Sequence, residues 1–600
     1  MNSIRKSIQY LRPSKYTLKK VMWAVNRLFL TLAVLLILAN RLWSERLSDP
    51  VFAAMQDEIT RSMEELTMPG MPTPYFMSYQ VRDYNTTFIE AHFDAIVKSE
   101  SSHERVLYTE MRVGDPLFDN TGYYGSWSDI QNNRERMVEE DNYRALRQQL
   151  WLSTDRAYKV ALERFANKKS YIQVHPDKDT IADFSPEERF SMMEELVPSK
   201  MDSTFWTNTV GKVGKTLKVF PTLQDWNVKF KAVTLIRRFL NSEESIFLTK
   251  EDYCELEISA TTQTMDGNRV SNFMCFIIPD RGIKPDVDEI LHDVKKMASE
   301  LVTMSNAKML TDDYCGPIVF SDYAAAQFIS QLFANQLVLS RKPLVADEWL
   351  AQNLSLGKLS GKLEKRIMPS FISITDEPSR QYWEGERLLG YLNVDDEGIK
   401  SRNIKLVDCG RLVNLPMTRQ PLKKLSGSNG HAILLPFQVK LPRITNLVVS
   451  SSESKSTKEL MEQMRQSCRE QDIEFGLLIK SLDEPRISSQ YSFRTFEDSD
   501  EKTLLTVPIV AYKVFAEDGR LEPVRGLQFE NINAGLLRDI ILLGDDERVH
   551  NIHQPTINND VQYLVSIITP SILIEEMELK SGSIPEPMPV VSNPFFNDKR

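Results

Sequence analysis

The stretch that decides the fold is LNVDDEG at residues 392–398, which is followed by KLVDCGRL at residues 405–412. Consecutive side chains of a strand point to opposite faces of a sheet, so the three neighbouring acids Asp395–Glu397 do not converge on one site without a turn. Gly398 directly after them favours such a turn, in which a carboxylate caps backbone N–H groups. The pattern therefore predicts strand, acidic turn and strand, rather than a carboxylate cluster for acid–base chemistry or metal binding.

Two more segments with recognisable patterns follow within about 50 residues of the acidic turn. SNGH at residues 428–431 contains an Asn–Gly pair, which is typical of a hairpin turn. PRITNL at residues 442–447 contains Arg443, a side chain able to pair with a carboxylate, although the sequence indicates no partner for it. Together with the acidic turn, these segments form three ordered motifs within residues 392–447.

In order and spacing, these motifs resemble the TldD/PmbA family, also called modulators of DNA gyrase. The residues that carry the resemblance are Asp395, Asp396, Glu397, Gly398, Asn429, Gly430, Arg443 and Asn446. Upstream, RVGD at residues 112–115 and DNT at residues 119–121 are similar to the exported branch of that family, so the resemblance covers residues 49–580. It implies a two-domain α+β fold, with antiparallel sheets and long helices in the N-terminal domain and a β-rich C-terminal domain.

Hydrophobic periodicity predicts individual elements of such a fold. Asp49 and Pro50 indicate the N-cap and first residue of an amphipathic helix. Further helices are predicted at residues 141–168 and 285–304 and after a capping box at residues 456–459. Alternating runs predict strands at residues 75–83, 86–98, 105–113, 228–248 and 253–278.

The chain divides into four parts on these grounds. They are a signal peptide or membrane anchor (1–48), an N-terminal α+β domain (49–310), a β-rich C-terminal domain (311–580) and a tail rich in proline and serine (581–600).

Composition excludes several classes of protein. Of the 600 residues, 42% are hydrophobic and 26% are charged, which fits a globular protein rather than a disordered chain or a polytopic membrane protein. The 83 acidic residues are dispersed among 73 basic ones, so no continuous basic face is available and nucleic acid is not an expected partner. The five scattered cysteines include no CxxC pair and favour neither a disulfide framework nor a zinc ribbon.

The amino terminus predicts export. Seven Lys or Arg residues and no acid precede Leu28, and residues 28–39 are apolar except for Thr31. This order is typical of a signal peptide, although the apolar run is shorter than the roughly 20 residues of a full span. The positive-inside rule then leaves the first 27 residues in the cytoplasm and the chain after about Arg41 on the periplasmic side of the cytoplasmic membrane, anchored or after signal cleavage.

The family resemblance implies a metallopeptidase in which an HExxxH motif and a late cysteine hold zinc, but this motif is absent. None of the seven histidines stands in an HExxH or HExxxH setting, and no cysteine follows Cys468. An ungapped match places Ser321 and Ala326 at the two histidines and Asp322 at the glutamate, and alanine has no ligand atom. We therefore expect no catalytic residue at these degenerate positions, no zinc or other cofactor, and a chain that is inactive on its own.

A histidine pair near the place of the family's late cysteine is the alternative metal site. His550 and His553 would share one face if they lay on a helix, where both could bind a metal. Pro555 and the polar pair Glu547 and Arg548 instead favour a surface loop without metal.

Three functions remain open at this point. The resemblance implies a non-catalytic subunit of an exported metallopeptidase assembly that handles unfolded peptides, with an HExxxH-bearing TldD-like homologue as its partner and with peptide bound as an added strand at a sheet edge. The first alternative is a diverged metal-dependent peptidase with a non-standard site formed by Asp322, His550 and His553. The second is a stand-alone binding or assembly factor of the cell envelope, attached to the membrane through its N-terminal segment.

Overall fold

The computed structural model describes residues 49–126, 134–176, 181–338, 341, 343–345, 357–436, 439–484, 486–487, 503–555 and 562–581. The predicted signal or anchor segment (1–48) and the tail beyond Ser581 lie outside the described residues. Within the described ranges, no helix has the length and apolar character needed to cross a membrane.

The described part of the chain contains six α-helices. They are α1 (Pro50–Glu65), α2 (Tyr143–Val174), α3 (Ser203–Leu217), α4 (Val287–Ser305), α5 (Tyr323–Leu332) and α6 (Thr457–Glu470). The predicted N-cap of α1 is confirmed, since the Asp49 carboxylate accepts hydrogen bonds from the backbone N–H groups of Val51 and Phe52. The predicted capping box of α6 is confirmed as well.

Helix α3 was not predicted from the sequence. It contains Gly211 and Gly214, and glycine lowers helix propensity by about 1 kcal/mol relative to alanine. Gly214 is needed for packing, because a Cβ atom there would lie 2.3 Å from the backbone oxygen of Phe93. The glycine that weakens the helical pattern therefore lets α3 approach the turn between the first two strands.

The strands are numbered in chain order. Those before α5 are β1 (Pro74–His92), β2 (Ala95–Asp115), β3 (Phe118–Asp119), β4 (Tyr123–Tyr124), β5 (Arg134–Arg136), β6 (Ser191–Met193), β7 (Leu223–Asn241), β8 (Ile246–Gln263), β9 (Arg269–Ile278), β10 (Lys308–Met309) and β11 (Tyr314–Phe320). Those after α5 are β12 (Leu344–Val345), β13 (Ile372–Asp376), β14 (Tyr382–Trp383), β15 (Glu386–Arg387), β16 (Ile404–Asp408), β17 (Arg411–Leu412), β18 (Ala432–Ile433), β19 (Leu441–Pro442), β20 (Asn446–Ser451), β21 (Phe475–Leu482), β22 (Pro508–Phe515), β23 (Leu521–Arg525), β24 (Leu527–Phe529), β25 (Ile540–Leu543), β26 (Arg548–Pro555), β27 (Gln562–Thr569) and β28 (Ile572–Ser581).

The first sheet has the order β3-β2-β1-β7-β8-β6, with β5 paired to β2 and β9 paired to β8. The three runs predicted between residues 75 and 113 form only two long strands, β1 and β2. The polar stretch around Asp83 does not break β1, because Arg105 and Arg238 pair with the Asp83 carboxylate. Similarly, the runs predicted from 228 to 278 form three strands, β7, β8 and β9, rather than two.

Two helical layers cover the first sheet. Helices α1 and α2 bury one part of it, around Met77, Tyr79 and Leu107. Helices α3 and α4 bury another part, around Phe230 and Leu256. These two clusters form the core of the N-terminal half.

The C-terminal half is built from two larger sheets with α5 between them. One sheet has the order β10-β23-β22-β21-β11-β28-β24 with β25 on β28, and the other has the order β17-β16-β13-β20-β27-β26. Helix α5 is almost entirely buried in the cluster that joins both sheets, and α6 covers the outer face of the former sheet. The predicted α+β fold is confirmed. Within the described residues, β9 and β26 are edge strands of their sheets.

Candidate functional site

The acidic turn forms where the sequence predicts it. The Asp395 carboxylate accepts hydrogen bonds from the backbone N–H groups of Glu397 and Ile399 on one oxygen and from Ala432 on the other. Gly398 has a φ of +78°, a conformation that disfavours side chains. Burial and the neighbouring Glu397 carboxyl group raise the pKa of Asp395 well above its usual range.

The second acid of the turn joins the two halves of the protein. One Asp396 oxygen lies 3.0 Å from Nη2 of Arg82 and 3.0 Å from Nη1 of Arg237, on the neighbouring strands β1 and β7. Gln80 also donates to it, at 2.5 Å. Burial alone would raise the pKa of Asp396, but the two guanidinium groups outweigh that effect and hold the pKa at about 2. The sequence predicts the turn but not this ion-pair network.

The third acid, Glu397, accepts a hydrogen bond from the backbone N–H of Arg419. Burial raises its pKa above the ordinary value. The Arg419 guanidinium is itself buried; it donates twice to the carbonyl of Ser185, pairs with Glu243 and lies 3.7 Å from the ring centroid of Phe184. The three acids of the turn therefore hold neighbouring segments together, and all three are buried.

Replacing Gly398 by valine is expected to lower the free energy of unfolding by about 1–3 kcal/mol, the cost of a strained backbone position. Its φ is positive, and an added Cβ atom would lie 2.6 Å from Cε1 of Phe239 in the first sheet. Chemical denaturation of the full chain measures the change. Gly70→Val is the matched control: Gly70 has nearly the same φ, +77°, with open space around it, so this variant has the backbone strain without the clash and should lose less stability. Equal losses for both variants would contradict the contact with Phe239.

The remaining motif residues also have structural contacts; Gly430, Arg443 and Asn446 are buried and Asn429 is partly buried. Asn429 and Gly430 do not form the predicted hairpin turn, because the Asn429 side chain instead bonds the backbone of Leu415 and Met417. Arg443 lies over the ring of Tyr563, 5.3 Å from its centroid. Asn446 donates from its side chain to the backbone carbonyls of Glu377 and Arg380. No two paired strands are joined by residues 429–430, so the predicted hairpin turn was wrong. The local Asn–Gly pattern cannot show that the Asn429 side chain bonds to Leu415 and Met417, which lie 14 and 12 residues away.

The degenerate motif lies at the start of α5. Ser321 and Asp322 precede the helix, which begins at Tyr323, and Asp322 has a φ of +52°. Ala326 lies on the helix and is completely buried in the apolar cluster between the two C-terminal sheets. Asp322 is half exposed and pairs with Arg548 at 3.4 Å. These three positions offer one carboxylate and one hydroxyl group around a helix start that is packed against apolar side chains.

A cleft of about 320 Å³ lies beside the start of α5. Its walls are residues 275–278 of β9, residues 549–551 of β26, Tyr323 of α5 and the start of α4. The two strands come from different halves of the protein, and each is the edge of its sheet. The cleft therefore lies between two edge strands and has a volume typical of ligand pockets.

The prediction of a surface loop around His550 and His553 is wrong, since both residues lie in strand β26. Strand alternation sends the two imidazoles to opposite faces. His550 lies near the ring of Tyr323 and lines the cleft, and burial lowers its pKa to about 4, so that it is neutral at pH 7. Pro555 is compatible with a strand here, because it is the last residue of β26 and β26 lies at the edge of its sheet.

His553 belongs to a different cluster, which no pattern in the sequence indicates. Its Nε2 atom lies 2.7 Å from Oε1 of Glu255 on β8, and Sγ of Cys275 on β9 lies 3.6 Å from the same oxygen. Arg486 also donates to this oxygen, at 3.1 Å. Burial raises the pKa of Glu255, but His553 and Arg486 outweigh burial and bring it to about 2. Burial and the Glu255 carboxylate raise the pKa of the Cys275 thiol well above its usual range.

The chain is similar to known proteins at two levels. Residues 312–581 match the family described as the PmbA/TldA metallopeptidase C-terminal domain. No curated protein matches the chain.

Solved structures match over a longer range. A protein named as a modulator of a DNA gyrase from Thermotoga maritima is 15% identical, with a TM-score of 0.58 over 88% of this chain and 100% of that chain. TldE from Thermococcus kodakarensis is 13% identical, with a TM-score of 0.55 over 88% of this chain and 99% of that one. A protein named as a modulator of DNA gyrase from Bacteroides thetaiotaomicron is 13% identical, with a TM-score of 0.51 over 88% and 98%. At these identities the likeness shows a shared fold.

Proposed function

Because residues 312–581 carry the C-terminal domain of the PmbA/TldA metallopeptidases, we propose that this chain is the non-catalytic subunit of an exported assembly that handles unfolded peptides. The observation that carries the proposal is the start of α5. At the positions that the ungapped sequence match assigns to the zinc motif, Ser321 and Asp322 lie before the helix and Ala326 is packed into an apolar core. A hydrolytic zinc ion needs three protein ligands and an open position, which these residues do not supply.

Peptide binding is supported by the cleft between β9 and β26. An extended peptide gains affinity from main-chain hydrogen bonds when it adds to a sheet edge, and this mode requires no catalytic side chain. The described chain leaves two such edges next to one cavity, one from each half of the protein. A peptide held there would lie beside α5, the helix at which the family resemblance implies the zinc motif. An HExxxH-bearing homologue would perform the cleavage.

The proposal is tested by co-expression of the full chain with an HExxxH-bearing homologue. We expect the two chains to co-purify from the membrane fraction and to cleave an unstructured peptide together, while neither this chain nor a zinc-stripped pair does so. Ile277→Trp should fill the cleft and weaken peptide binding, whereas Val219→Trp, at an exposed position outside it, should not. Peptide binding by this chain combined with a failure of any HExxxH-bearing homologue to co-purify with it would favour the stand-alone envelope factor instead.

The isolated chain is expected to cleave no unstructured peptide, with or without added zinc. The diverged peptidase of Asp322, His550 and His553 receives less support, because the two imidazoles lie on opposite faces of β26. Peptide hydrolysis is measured on the purified full chain and on Asp322→Asn and His550→Gln. Hydrolysis that is inhibited by a chelator and lost in both variants would contradict the non-catalytic role.

Export is expected from the seven basic residues that precede the apolar run at residues 28–39. A reporter that is active only outside the cytoplasm, fused after Lys580, should be active. The control fusion lacks residues 1–48 and should be inactive. Activity of a cytoplasm-dependent reporter at the same fusion point would contradict the proposed location.

A further inference from the structure

We propose that Glu255, Cys275 and His553 form a binding site for one divalent cation of the Zn²⁺ type, which joins the two halves of the protein. The three ligand atoms, a carboxylate oxygen, a thiol sulfur and an imidazole nitrogen, all lie within 4.8 Å of one another. Glu255 and Cys275 lie on neighbouring strands β8 and β9, where Glu257 and Cys275 are direct pairing partners. His553 comes from β26 of the C-terminal half.

The distances require little rearrangement. Zinc–ligand bonds of 2.0–2.3 Å set the ligand atoms of a tetrahedral site about 3.5 Å apart. The present separations from Glu255 Oε1 are 2.7 Å to His553 Nε2 and 3.6 Å to Cys275 Sγ. Side-chain shifts of under about 1 Å therefore bring these two pairs to the tetrahedral spacing, and Sγ of Cys275 and Nε2 of His553 lie within 4.8 Å of each other.

The donor set selects the class of metal. One thiolate, one imidazole and one carboxylate favour zinc and similar transition-metal ions over Mg²⁺ or Ca²⁺, which prefer oxygen ligands. On binding, the Cys275 thiol releases its proton to solvent and the sulfur becomes a ligand. The three protein ligands leave a fourth position for water or for a group in the neighbouring cleft, whose wall includes Cys275.

Arg486 is the competitor for this site. Its guanidinium donates to Glu255 Oε1 at 3.1 Å and to Glu257 Oε2 at 2.7 Å. A cation at the cluster would take over the Glu255 contact, while Glu257 keeps Arg486 paired. Removing the positive charge of Arg486 should therefore tighten metal binding, whereas a purely structural hydrogen-bond cluster predicts no such effect.

This site is separate from the degenerate motif at α5 and does not depend on the proposed function. It uses none of Ser321, Asp322 and Ala326. A cation there would link β8 and β9 to β26, and ligand binding to the folded state alone raises its stability.

The test is a titration of the purified, metal-stripped full chain with Co²⁺ alone and then with Zn²⁺. We expect a thiolate-to-cobalt charge-transfer absorption that saturates at one ion per chain, disappears on addition of Zn²⁺ and is absent in Cys275→Ser. His553→Gln and Glu255→Gln should each weaken binding at least about tenfold, since even the outer partners of a metal site contribute 10–100-fold. Arg486→Gln should strengthen it.

Matched controls are Cys315→Ser and His92→Gln, which remove an exposed thiol and an exposed imidazole and should leave the absorption unchanged. Absence of the absorption in the wild-type chain, or its persistence in Cys275→Ser, would overturn the metal site and leave the proposed function standing. Peptide hydrolysis by the zinc-loaded chain that is lost in Cys275→Ser would instead keep the metal site and overturn the non-catalytic role.

Discussion

Replacing Asp396 by alanine is expected to lower the free energy of unfolding by about 3–5 kcal/mol, the cost of breaking a buried ion pair from one side. The Asp396 side chain is 3% exposed, and its carboxylate accepts from both Arg82 and Arg237. Without it, two buried guanidinium groups of the first sheet face each other without a counter-charge at this point. Chemical denaturation of the full chain measures the loss.

Asp408→Ala is the matched control for this prediction. Asp408 also pairs with a cation, Lys405, but its side chain is 48% exposed, and such pairs contribute only about 0–1 kcal/mol. Similar losses in the two variants would contradict the assignment of Asp396 as a buried joint between the halves.

The contribution of Asp396 should also depend on pH. Its pKa is about 2 in the folded protein against 3.8 ordinarily, so the carboxylate stabilises the folded state fully above pH 3.8. The difference in stability between the wild type and Asp396→Ala should therefore be constant above about pH 5 and shrink as the pH falls from about 4 toward 2. A difference that is unchanged at pH 3 would contradict the depressed pKa.

Replacing Arg419 by alanine is expected to cost about 3 kcal/mol, from a lost pair of buried hydrogen bonds and a lost cation–π contact. The Arg419 side chain is almost fully buried, and it supplies both donors to the carbonyl of Ser185. Its guanidinium also packs against the ring of Phe184. Thermal and chemical unfolding of the full chain test this.

Two variants distinguish the causes at Arg419. Arg419→Lys keeps the charge but loses the planar fork, so it should fall between the wild type and alanine. Arg380→Ala removes a guanidinium that also lies over an aromatic ring, that of Trp383, but at an exposed position, and should cost less than about 1 kcal/mol. A loss at Arg380 as large as that at Arg419 would mean that burial does not set the effect.

Part of the candidate site was predictable from short sequence patterns. The turn at Gly398 follows from an acid that caps backbone groups two and four residues ahead, and its positive φ follows from the glycine. The missing zinc motif is likewise visible as the absence of paired histidines. Each of these features depends on residues within one turn or strand of each other.

The other part of the site was not predictable in this way. Strand β26 was expected to be a polar loop, because its exposed edge carries polar residues and a proline, and edge strands tolerate both. Glu255 and His553, the outer members of the cluster with Cys275, are 298 positions apart in the chain. No spacing rule for metal ligands covers such a distance.

The sequence by itself determined helices α1 and α6 with their caps, the acidic turn, the α+β class and the absence of the HExxxH motif. These depend on local periodicity and on side chains that bond their own backbone neighbours. Only the tertiary structure decided that Asp396 meets Arg82 and Arg237, that two edge strands from different halves form one cleft, and that a thiol, a carboxylate and an imidazole come together beside it. The physical reason is that a buried charge or ligand needs partners of the right chemistry, and packing of the sheets, rather than chain neighbourhood, determines which residues supply them.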